Sequence, residues 1–470
     1  MDTSALRPSS TNATHPTSLV RTSAMPMAHR AACRALAQLG TRAPRRSLST
    51  ASSSFDVVVA GGAAVGSSVA YHLAASDPAL KICVVEQDPA FVHASAMLSA
   101  GGIRQQFSTP ANIQLSLYGV DFLRRLPTEL SIPGEDAPDV QFKEQGYLLL
   151  ASERGTETLR HNHATQRANG ASGTTLLEPS ELAQRFPWLN VDGIALGCLG
   201  EQGEGWFDPW AFVGSLRAKA KHMGVTFVKG RVASLSMDSA AAAGARKITS
   251  VRVDAADGKS VEIGAGAVVN AAGAFADNIV RMCGDDVAHL PVRARKRAIF
   301  SFDCRGGGSS SVPSSESTPL VVDPTGVYFR PEGPSGRFMV GVSPPPPWVD
   351  ADCESNSDLE STDHTLFDEL MWPALYERCN AFEAIKVSSS WSGFYDYNTH
   401  DQNAIIGTHP HVPNLILCNG FSGHGLQHSP GAGRAVAELV TTGGYQTVDV
   451  SCLGFERVLN GEPLFEKNVI

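Results

Sequence analysis

The sequence predicts an α/β (α+β) fold in which a Rossmann-type dinucleotide-binding domain is interleaved with a mixed-sheet domain. Residues 55–66 read as an apolar strand, a glycine turn and a helix start, and Glu86 ends the next apolar strand. Residues 414–425 repeat the order of strand, glycine-rich loop and helix start near the other end of the chain. The stretch 291–400 between them is β-rich, so we expect it to form most of the second domain.

Local signals place the other elements in order along the chain. Pro179 and Pro209 stand where a helix can begin without needing an N–H donor, and Asp257-Gly258 is a hairpin signal. Pro373 is expected to kink or divide a helix over 364–380. After a β-α-β unit over 55–86, we predict helices over 111–126, 155–169, 179–186, 209–223, 364–380 and 426–441, and strands over 146–151, 225–229, 247–254, 259–264, 267–270 and 414–418.

The first glycine segment has the features of a pyrophosphate site. Gly61 makes the tight turn, and the helix after it presents free N–H groups and a positive dipole end. Glu86 lies 20 positions after Gly66 and can accept hydrogen bonds from ribose hydroxyls. Ala63 replaces the middle glycine of the pattern, so we expect reduced affinity. The alternative is an ordinary strand-turn-helix without a ligand.

Composition bounds the class of protein. With 470 residues, 43% hydrophobic and 18% charged, the chain is long enough for two domains around a large core. No uncharged apolar run reaches the length of a membrane span. The nine cysteines are scattered without a C-x-x-C pair, which predicts neither a zinc site nor a disulfide framework.

Residues 1–50 have the composition of a mitochondrial transit peptide. They contain seven arginines, no lysine and the single acid Asp2, with serine, threonine and alanine filling most of the remainder. The alternative is a basic disordered tail. Since the whole chain carries −9, removal of this +6 segment leaves a formal charge of about −15. That charge argues against nucleic acid and against an anionic membrane surface.

The second glycine segment, Cys418-Asn-Gly-Phe-Ser-Gly-His-Gly425, suits the other end of a dinucleotide cofactor. Its glycines allow close backbone approach, and a helix N-terminus follows. Such a terminus against the pyrimidine edge of a flavin would stabilise the negative charge of the reduced ring. The alternative is a glycine-rich turn before a surface helix.

Together the two segments resemble the D-amino-acid-oxidase group of flavoproteins, which includes sarcosine and dimethylglycine oxidising enzymes. Val268-Val-Asn-Ala-Ala-Gly-Ala274 is similar to that group's strand and loop beside the dinucleotide. Four further stretches, 107–117, 146–153, 204–210 and 395–403, resemble a mitochondrial branch of the family that is implicated in assembly of respiratory complex I. The resemblance covers residues 53–470.

The resemblance implies a D-amino-acid-oxidase-like fold and bound FAD. On the adenosine and pyrophosphate side it places Gly61, Gly62, Ala63, Gly66, Glu86, Gln87, Val232, Ala272 and Gly273. Around the flavin and ribityl chain it places Ser95, Ser99, Ala100, Gly101, Gly102, Gly420, Gly423, His424, Gly425 and Leu426. Relatives tether the flavin through a histidine or a cysteine. Here Leu98 holds the histidine's place and Gly393 lies near the cysteine's, so we expect non-covalent FAD.

Three residues are candidates for substrate contact. Arg104 could clamp a carboxylate with bidentate geometry, or could neutralise pyrophosphate or pair with an acid. Tyr395 could join an aromatic cage for an amine cation, or pack in the core. Gln427 stands where sarcosine oxidase has a carboxylate-binding lysine, which weakens the case for a carboxylate at that point.

For two other groups of residues, the sequence predicts no role in substrate or metal binding. The basic run of Arg293, Arg295, Lys296 and Arg297 is expected to be a solvated strand face, with a cavity-facing role as the alternative. His424 and His428 have a spacing that metals use, but no third ligand is in view, so we predict no metal.

The predicted organisation interleaves two domains. Residues 1–50 are the transit peptide; the FAD-binding domain comprises 51–130, 206–290 and 401–470; and the substrate domain comprises 131–205 and 291–400.

The predicted function is that of a mitochondrial FAD-dependent oxidoreductase that oxidises a C–N bond of a small amine. The resemblance implies complex I subunits or assembly intermediates as partners, in the matrix or on the matrix face of the inner membrane with peripheral association. The competing hypothesis is a non-catalytic assembly factor or chaperone of complex I in which FAD is structural or redox-sensing. A NAD-dependent dehydrogenase is a third reading, but it leaves residues 420–425 unexplained.

Overall fold

A computed structural model of the protein describes residues 53–238, 246–304, 312–333, 336–345, 348 and 350–468. The predicted transit peptide lies outside these described residues. The described α-helices are α1 Ala64–Ser76, α2 Pro110–Glu129, α3 Thr156–Ala168, α4 Pro179–Arg185, α5 Pro209–His222, α6 Ala276–Arg281, α7 Trp372–Arg378, α8 Gly425–Thr442 and α9 Glu456–Leu459.

The described strands form two large sheets and one small ribbon. In chain order they are β1 Ser53–Ala60, β2 Ile82–Glu86, β3 Gly102–Ile103, β4 Tyr147–Ala151, β5 Thr174–Leu177, β6 Leu196–Gly200, β7 Gly205–Trp206, β8 Thr226–Lys229, β9 Arg231–Met237, β10 Ile248–Asp254, β11 Ser260–Asn270, β12 Val292–Cys304, β13 Leu320–Val322, β14 Tyr328–Pro331, β15 Arg337–Gly341, β16 Asp352–Cys353, β17 Ile385–Asn398, β18 Ile405–His409 and β19 Val412–Asn419.

The first sheet has the order β18-β19-β11-β1-β2-β8, with β9 and β10 added beside β11. Strands β19, β11, β1, β2 and β8 run parallel to their neighbours. Val57 and Val59 enter one core while Val58 and Ala60 enter the core on the other side. Both faces of β1 are therefore covered, which explains why its end reads as a continuous apolar run. The carboxyl ends of β1 and β2 carry Gly61 and Glu86 to one edge of the sheet.

The second sheet has the order β16-β12-β15-β14-β13-β4-β6-β5, and β17 pairs with β12 on its other side. β12 and β17 are antiparallel from Val292 opposite Asn398 to Cys304 opposite Ile385. Phe300 and Phe302 fill a core on one face, packed against Phe338 and Phe382. These long paired strands carry Arg297 and Tyr395 to the cavity described below.

Most predicted elements are present with shifted ends, and two predictions were wrong in detail. The strands predicted over 259–264 and 267–270 form one strand, β11, because its early residues 263–265 already pair with β1. The helix predicted over 364–380 is shorter: a π-helical turn at Phe367–Met371 precedes α7, and Pro373 lies near the start of α7, where proline is tolerated.

Candidate functional site

One cavity of about 510 Å³ is lined by both glycine segments. Gly61 and Glu86 contribute from the first segment, and residues 423–427 contribute from the second. The predicted cofactor residues that line it are Gly61, Ala63, Glu86, Gln87, Ser95, Ser99, Ala100, Gly101, Gly102, Val232, Ala272, Gly273, Gly423, His424, Gly425 and Leu426. All three predicted substrate residues, Arg104, Tyr395 and Gln427, line the same cavity.

The predicted residues Gly62, Gly66 and Gly420 do not line the cavity but build its walls. A side chain on Gly66 would overlap the carbonyl group of Gly61, so only glycine lets helix α1 start this close to the turn. Gly420 has a φ of +72°, and an added Cβ would lie 3.1 Å from Cγ2 of Val292. These glycines therefore act through close backbone packing.

The first turn leaves a helix N-terminus open to an anion. Gly61 has a φ of +98°, and a side chain there would overlap the carbonyl oxygen of Ala271. Helix α1 begins at Ala64 without a side-chain cap, and its first turn contains no acidic residue. The dipole and amide groups of this turn are thus available to a pyrophosphate. Ala63, the departure from the glycine pattern, lines the cavity at this point.

Glu86 is a fixed acceptor at the edge of β2. Its Oε2 accepts a hydrogen bond from the Gly62 N–H at 2.8 Å, and its Oε1 accepts one from the Asp88 N–H at 2.8 Å. Burial raises the pKa of Glu86. Each carboxylate oxygen has two lone pairs, so both can also accept from ribose hydroxyls.

The second glycine loop is held against Tyr395. Gly423 has a φ of +96°, and an added Cβ would lie 2.5 Å from Cε2 of Tyr395. Asp396 fixes the loop, because its Oδ2 accepts from the Phe421 N–H at 3.0 Å and its backbone oxygen accepts from the Ser422 N–H at 3.1 Å. Helix α8 then begins at Gly425 without a side-chain cap. Two uncapped helix starts therefore face one cavity, which is the arrangement that FAD requires for its pyrophosphate and its flavin ring.

Arg104 is a buried guanidinium with uncharged acceptors. It is 1% exposed, and its Nη1 and Nη2 donate to the carbonyl oxygens of Gln106 and Asn468. Its Nη2 also lies 3.2 Å from Nε2 of His424. Burial, and then the charge of Arg104, hold the pKa of His424 well below its ordinary value, so the ring is neutral. The contact therefore makes Nε2 the acceptor, since a guanidinium only donates.

Arg104 lacks the ion pair with a described carboxylate that compensates the charge of two other buried arginines. Arg378 and Arg457 form ion pairs with Asp323 at 2.6 Å and Asp401 at 2.7 Å. Arg104 forms no ion pair with a carboxylate of the described residues; its guanidinium stacks 4.2 Å from the Phe107 ring centroid. Pairing with an acid of the described residues is thus not found for Arg104, and its role toward a substrate carboxylate or the pyrophosphate stays a prediction.

Three residues that line the cavity were not among the predicted site residues. Tyr147 and Tyr328 line the cavity and are buried, although nothing in their local sequence marks them. Arg297 lines it as well and is 8% exposed, so the expectation of a solvated strand face was wrong at this position. Arg293, Arg295 and Arg297 are spaced by two residues, so all three side chains lie on one face of β12. Only the packing of the sheet decides which of the three is buried.

Leu98 and Gly393 lie against each other; the family resemblance relates these two positions to flavin tethers in relatives. A Cβ on Gly393 would lie 2.9 Å from Cβ of Leu98, and the carbonyl oxygen of Leu98 accepts from Nε1 of Trp391 at 2.9 Å. Neither side chain offers a nucleophile for a covalent bond.

The described residues contain neither a metal centre nor a membrane-spanning helix. No group of three or more His, Cys, Asp and Glu side chains could hold a metal ion. The described cysteines are free thiols. No helix in the described part of the chain has the length and apolar character needed to cross a bilayer.

The two-sheet fold and the cavity with two helix starts define a flavoprotein of the oxidoreductase class. The family model "FAD dependent oxidoreductase" (DAO) matches residues 56–439. The chain therefore belongs to the DAO family of FAD-dependent oxidoreductases, and its cofactor is FAD.

Similar proteins agree with this assignment. The chain is 41% identical to FAD-dependent oxidoreductase domain-containing protein 1 of Xenopus laevis, over 88% of this chain and 85% of that protein. It is 24% identical to the mitochondrial dimethylglycine dehydrogenase of Rattus norvegicus, over 83% of this chain and 43% of that protein. Among solved structures, the L-proline dehydrogenase from P. horikoshii has the same fold, with a TM-score of 0.73 and 23% identity, covering 88% of this chain and 100% of that one.

Proposed function

We propose that this FAD-dependent oxidoreductase oxidises a C–N bond of a small amine that carries a carboxylate. The observation that carries the proposal is Arg104, a buried guanidinium that forms no ion pair with a carboxylate of the described residues and faces the same cavity as the second glycine loop. A buried guanidinium keeps its positive charge, and that charge beside the cavity favours a carboxylate on the substrate.

The chain's own residues would bind and orient this amine. When bound, FAD would supply a two-electron acceptor for the hydride on the substrate carbon next to nitrogen, the chemistry that turns an amine into a hydrolysable imine. Burial raises the pKa of the Tyr395 phenol, so it remains a neutral hydrogen-bond donor at the cavity wall. Gln427 has its oxygen committed to Arg104, which leaves its amino group as a donor.

Anaerobic reduction of the flavin tests the proposal. The purified holoprotein is mixed with sarcosine, dimethylglycine, L-proline and the corresponding amines without a carboxylate, and flavin absorbance is followed. We expect bleaching with at least one carboxylated amine and little with its decarboxylated counterpart. Arg104→Met should abolish that difference. A wild-type protein that no such amine reduces, or a variant that keeps the discrimination, would contradict the proposal.

We also propose that the flavin is held without a covalent bond. The family resemblance puts Leu98 in the place of the histidine tether and Gly393 near that of the cysteine tether, and neither residue has a nucleophilic side chain. Acid precipitation of the holoprotein should release all yellow colour into the supernatant. Colour that stays in the pellet would contradict this.

The cellular setting is part of the proposal and has separate support. We infer that the protein acts in the mitochondrial matrix or on the matrix face of the inner membrane, where it assists assembly of respiratory complex I through contacts with its subunits or assembly intermediates. The arginine-rich, acid-poor residues 1–50 support the compartment, and the family resemblance over 53–470 supports the partner.

A cell line that lacks the protein separates catalysis from assembly. Complementation with wild type, Arg104→Met and Gln427→Met is followed by measuring complex I assembly. If both variants lose amine-dependent flavin reduction but restore assembly, the non-catalytic role, with FAD as a structural or redox-sensing group, is the one that matters to the cell.

A further inference from the structure

We propose that the substrate carries two anionic groups, and that Arg297 binds the second one while Arg104 binds the first. This inference rests on the proposed function, because it narrows the substrate class of the same cavity. It depends on the hydrogen bonds, charges and neighbours of Arg297.

The side chain of Arg297 has a donor that the protein leaves unused. Arg297 lies on β12 opposite Gly393 of β17, lines the cavity and is 8% exposed. Its Nη1 and Nη2 bind Asp350 at 2.6 and 3.1 Å, and its Nη1 also donates to the Lys296 carbonyl oxygen at 2.9 Å. Its Nε is buried and has no hydrogen-bond partner among the described residues. A buried donor without a partner is costly, so an acceptor on a ligand would satisfy it.

The ion pairs connected to Arg297 contain one more cation than carboxylate. Asp350 is shared, because it also pairs with Arg295 at 2.9 Å. Arg295 in turn pairs with Asp352 at 2.7 Å. The connected network contains four cations and three carboxylates: Arg281, Arg293, Arg295 and Arg297 with Asp277, Asp350 and Asp352. One positive charge is therefore not balanced within the network.

Tyr395 connects the two arginines. The Arg297 guanidinium carbon lies 5.0 Å from the Tyr395 ring centroid, while the edge of the same ring covers Gly423. The charges of both Arg297 and Arg104 act on the Tyr395 phenol. Tyr147, whose ring centroid is 6.0 Å from the Arg104 guanidinium carbon, lines the cavity beside them. The substrate space is thus lined by the phenols of Tyr147 and Tyr395 and by the guanidinium groups of Arg104 and Arg297.

This arrangement defines a chemical class. A secondary or tertiary amine with one carboxylate would satisfy Arg104 alone. An amine with two carboxylates, the second on its side chain or on its nitrogen substituent, would satisfy both arginines and supply the acceptor that Nε of Arg297 lacks.

The test is a spectral titration of the FAD-loaded protein with carboxylates that cannot be oxidised. Dicarboxylates from malonate to adipate are each compared with the monocarboxylate of the same chain length, and perturbation of the flavin spectrum gives the Kd. We expect at least one dicarboxylate to bind about tenfold more tightly than its monocarboxylate match. Arg297→Met should remove this preference, and Arg297→Lys, which keeps the charge but lacks Nε, should reduce it.

Arg295→Met is the matched control. Arg295 pairs with the same Asp350 but does not line the cavity, so the preference should survive in that variant. Equal binding of all matched pairs, or a preference that persists in Arg297→Met, or one that Arg295→Met removes equally, would overturn the inference.

The outcomes separate this inference from the proposed function. If monocarboxylates bind and Arg104→Met weakens them, but dicarboxylates gain nothing, only the role of Arg297 fails. If no carboxylate perturbs the flavin, or if Arg104→Met has no effect, both proposals fail. If Arg297→Met does not fold, full preference in the folded Arg297→Lys variant counts against the role of Nε.

Discussion

Oε1 of Gln427 accepts a hydrogen bond from the backbone N–H of Arg104 at 2.8 Å, across 323 positions of the sequence. Because a backbone N–H can only donate, this contact assigns the orientation of the Gln427 amide. It joins the first turn of α8 to the segment after β3, so two predicted substrate residues belong to one hydrogen-bonded unit.

Gln427→Met removes the acceptor for the Arg104 N–H. The buried donor then has no partner, so we expect the free energy of unfolding to fall by about 1–3 kcal/mol. Gln427→Glu keeps an acceptor but places a negative charge beside Arg104, so it should retain more stability and bind carboxylates more weakly. Urea unfolding and a benzoate titration of the flavin spectrum measure the two effects. Equal stability of Gln427→Met and wild type would refute the role of this contact.

Gly423→Ala tests the packing of the flavin loop. An added methyl strains a φ of +96° and meets the Tyr395 ring, whereas Gly443, at φ +78°, has nothing within 4 Å of an added Cβ. Both substitutions put alanine in the left-handed region, at a cost of about 1–2 kcal/mol. Only Gly423→Ala should also lower FAD affinity and alter the flavin spectrum. Equal FAD affinity of the two variants would show that the loop accommodates a methyl group at position 423 without effect on the cofactor.

Glu86→Gln weakens the acceptor for the ribose. A neutral amide makes weaker hydrogen bonds than a carboxylate and offers only one acceptor atom, so we expect FAD to dissociate about tenfold more readily. Titration of apoprotein with FAD, followed by flavin fluorescence, measures this. The exposed Glu157→Gln should bind as wild type does. An unchanged Kd for Glu86→Gln would remove Glu86 from the cofactor site.

Glu466→Gln loosens residues 464–468, of which Asn468 contacts Arg104. The Glu466 carboxylate is buried and accepts from the N–H and Oγ of Ser108, the N–H and Oγ1 of Thr109, and Nδ2 of Asn112. We expect a loss of about 3 kcal/mol in the free energy of unfolding, and faster proteolysis near residue 464. The exposed Glu462→Gln should change stability by less than about 0.5 kcal/mol. Equal unfolding free energies and proteolysis rates for the two variants would show that Glu466 does not fix residues 464–468.

Glu204 should give the stability of the fold a pH dependence. Burial raises its pKa from 4.5 to about 7, against hydrogen bonds from Gln106 and Gln105. The folded protein therefore holds this proton more tightly than the unfolded chain does. The resulting stabilisation is complete below pH 4.5 and is lost as pH rises to about 7. Asp396, with a pKa raised to about 6, acts in the same direction.

Comparison of wild type with Glu204→Gln isolates this contribution. Unfolding free energies measured between about pH 5 and pH 8 should fall less steeply with pH in the variant, because its side chain cannot ionise. Parallel profiles would show that Glu204 does not titrate in this range.

The cofactor half of the site could be predicted because its signals are local. Gly61 is needed for a positive φ, Gly66 for close approach and Glu86 for the end of a strand, and each requirement shows in a few adjacent residues. The substrate half could not be predicted in the same way. Tyr147 and Tyr328 come from separate strands, and their sequence neighbours resemble those of any buried strand.

The amino-acid sequence by itself determined the alternation of strands and helices, the two glycine-hinged helix starts and the FAD-binding class, because backbone conformation and periodicity are set by neighbouring residues. Only the tertiary structure decided that Gln427 supports Arg104, that Arg104 has no ion pair with a described carboxylate, and that Arg297 faces the cavity while Arg295 does not. These properties depend on strand register and on contacts between residues hundreds of positions apart, and neither leaves a mark in the local sequence.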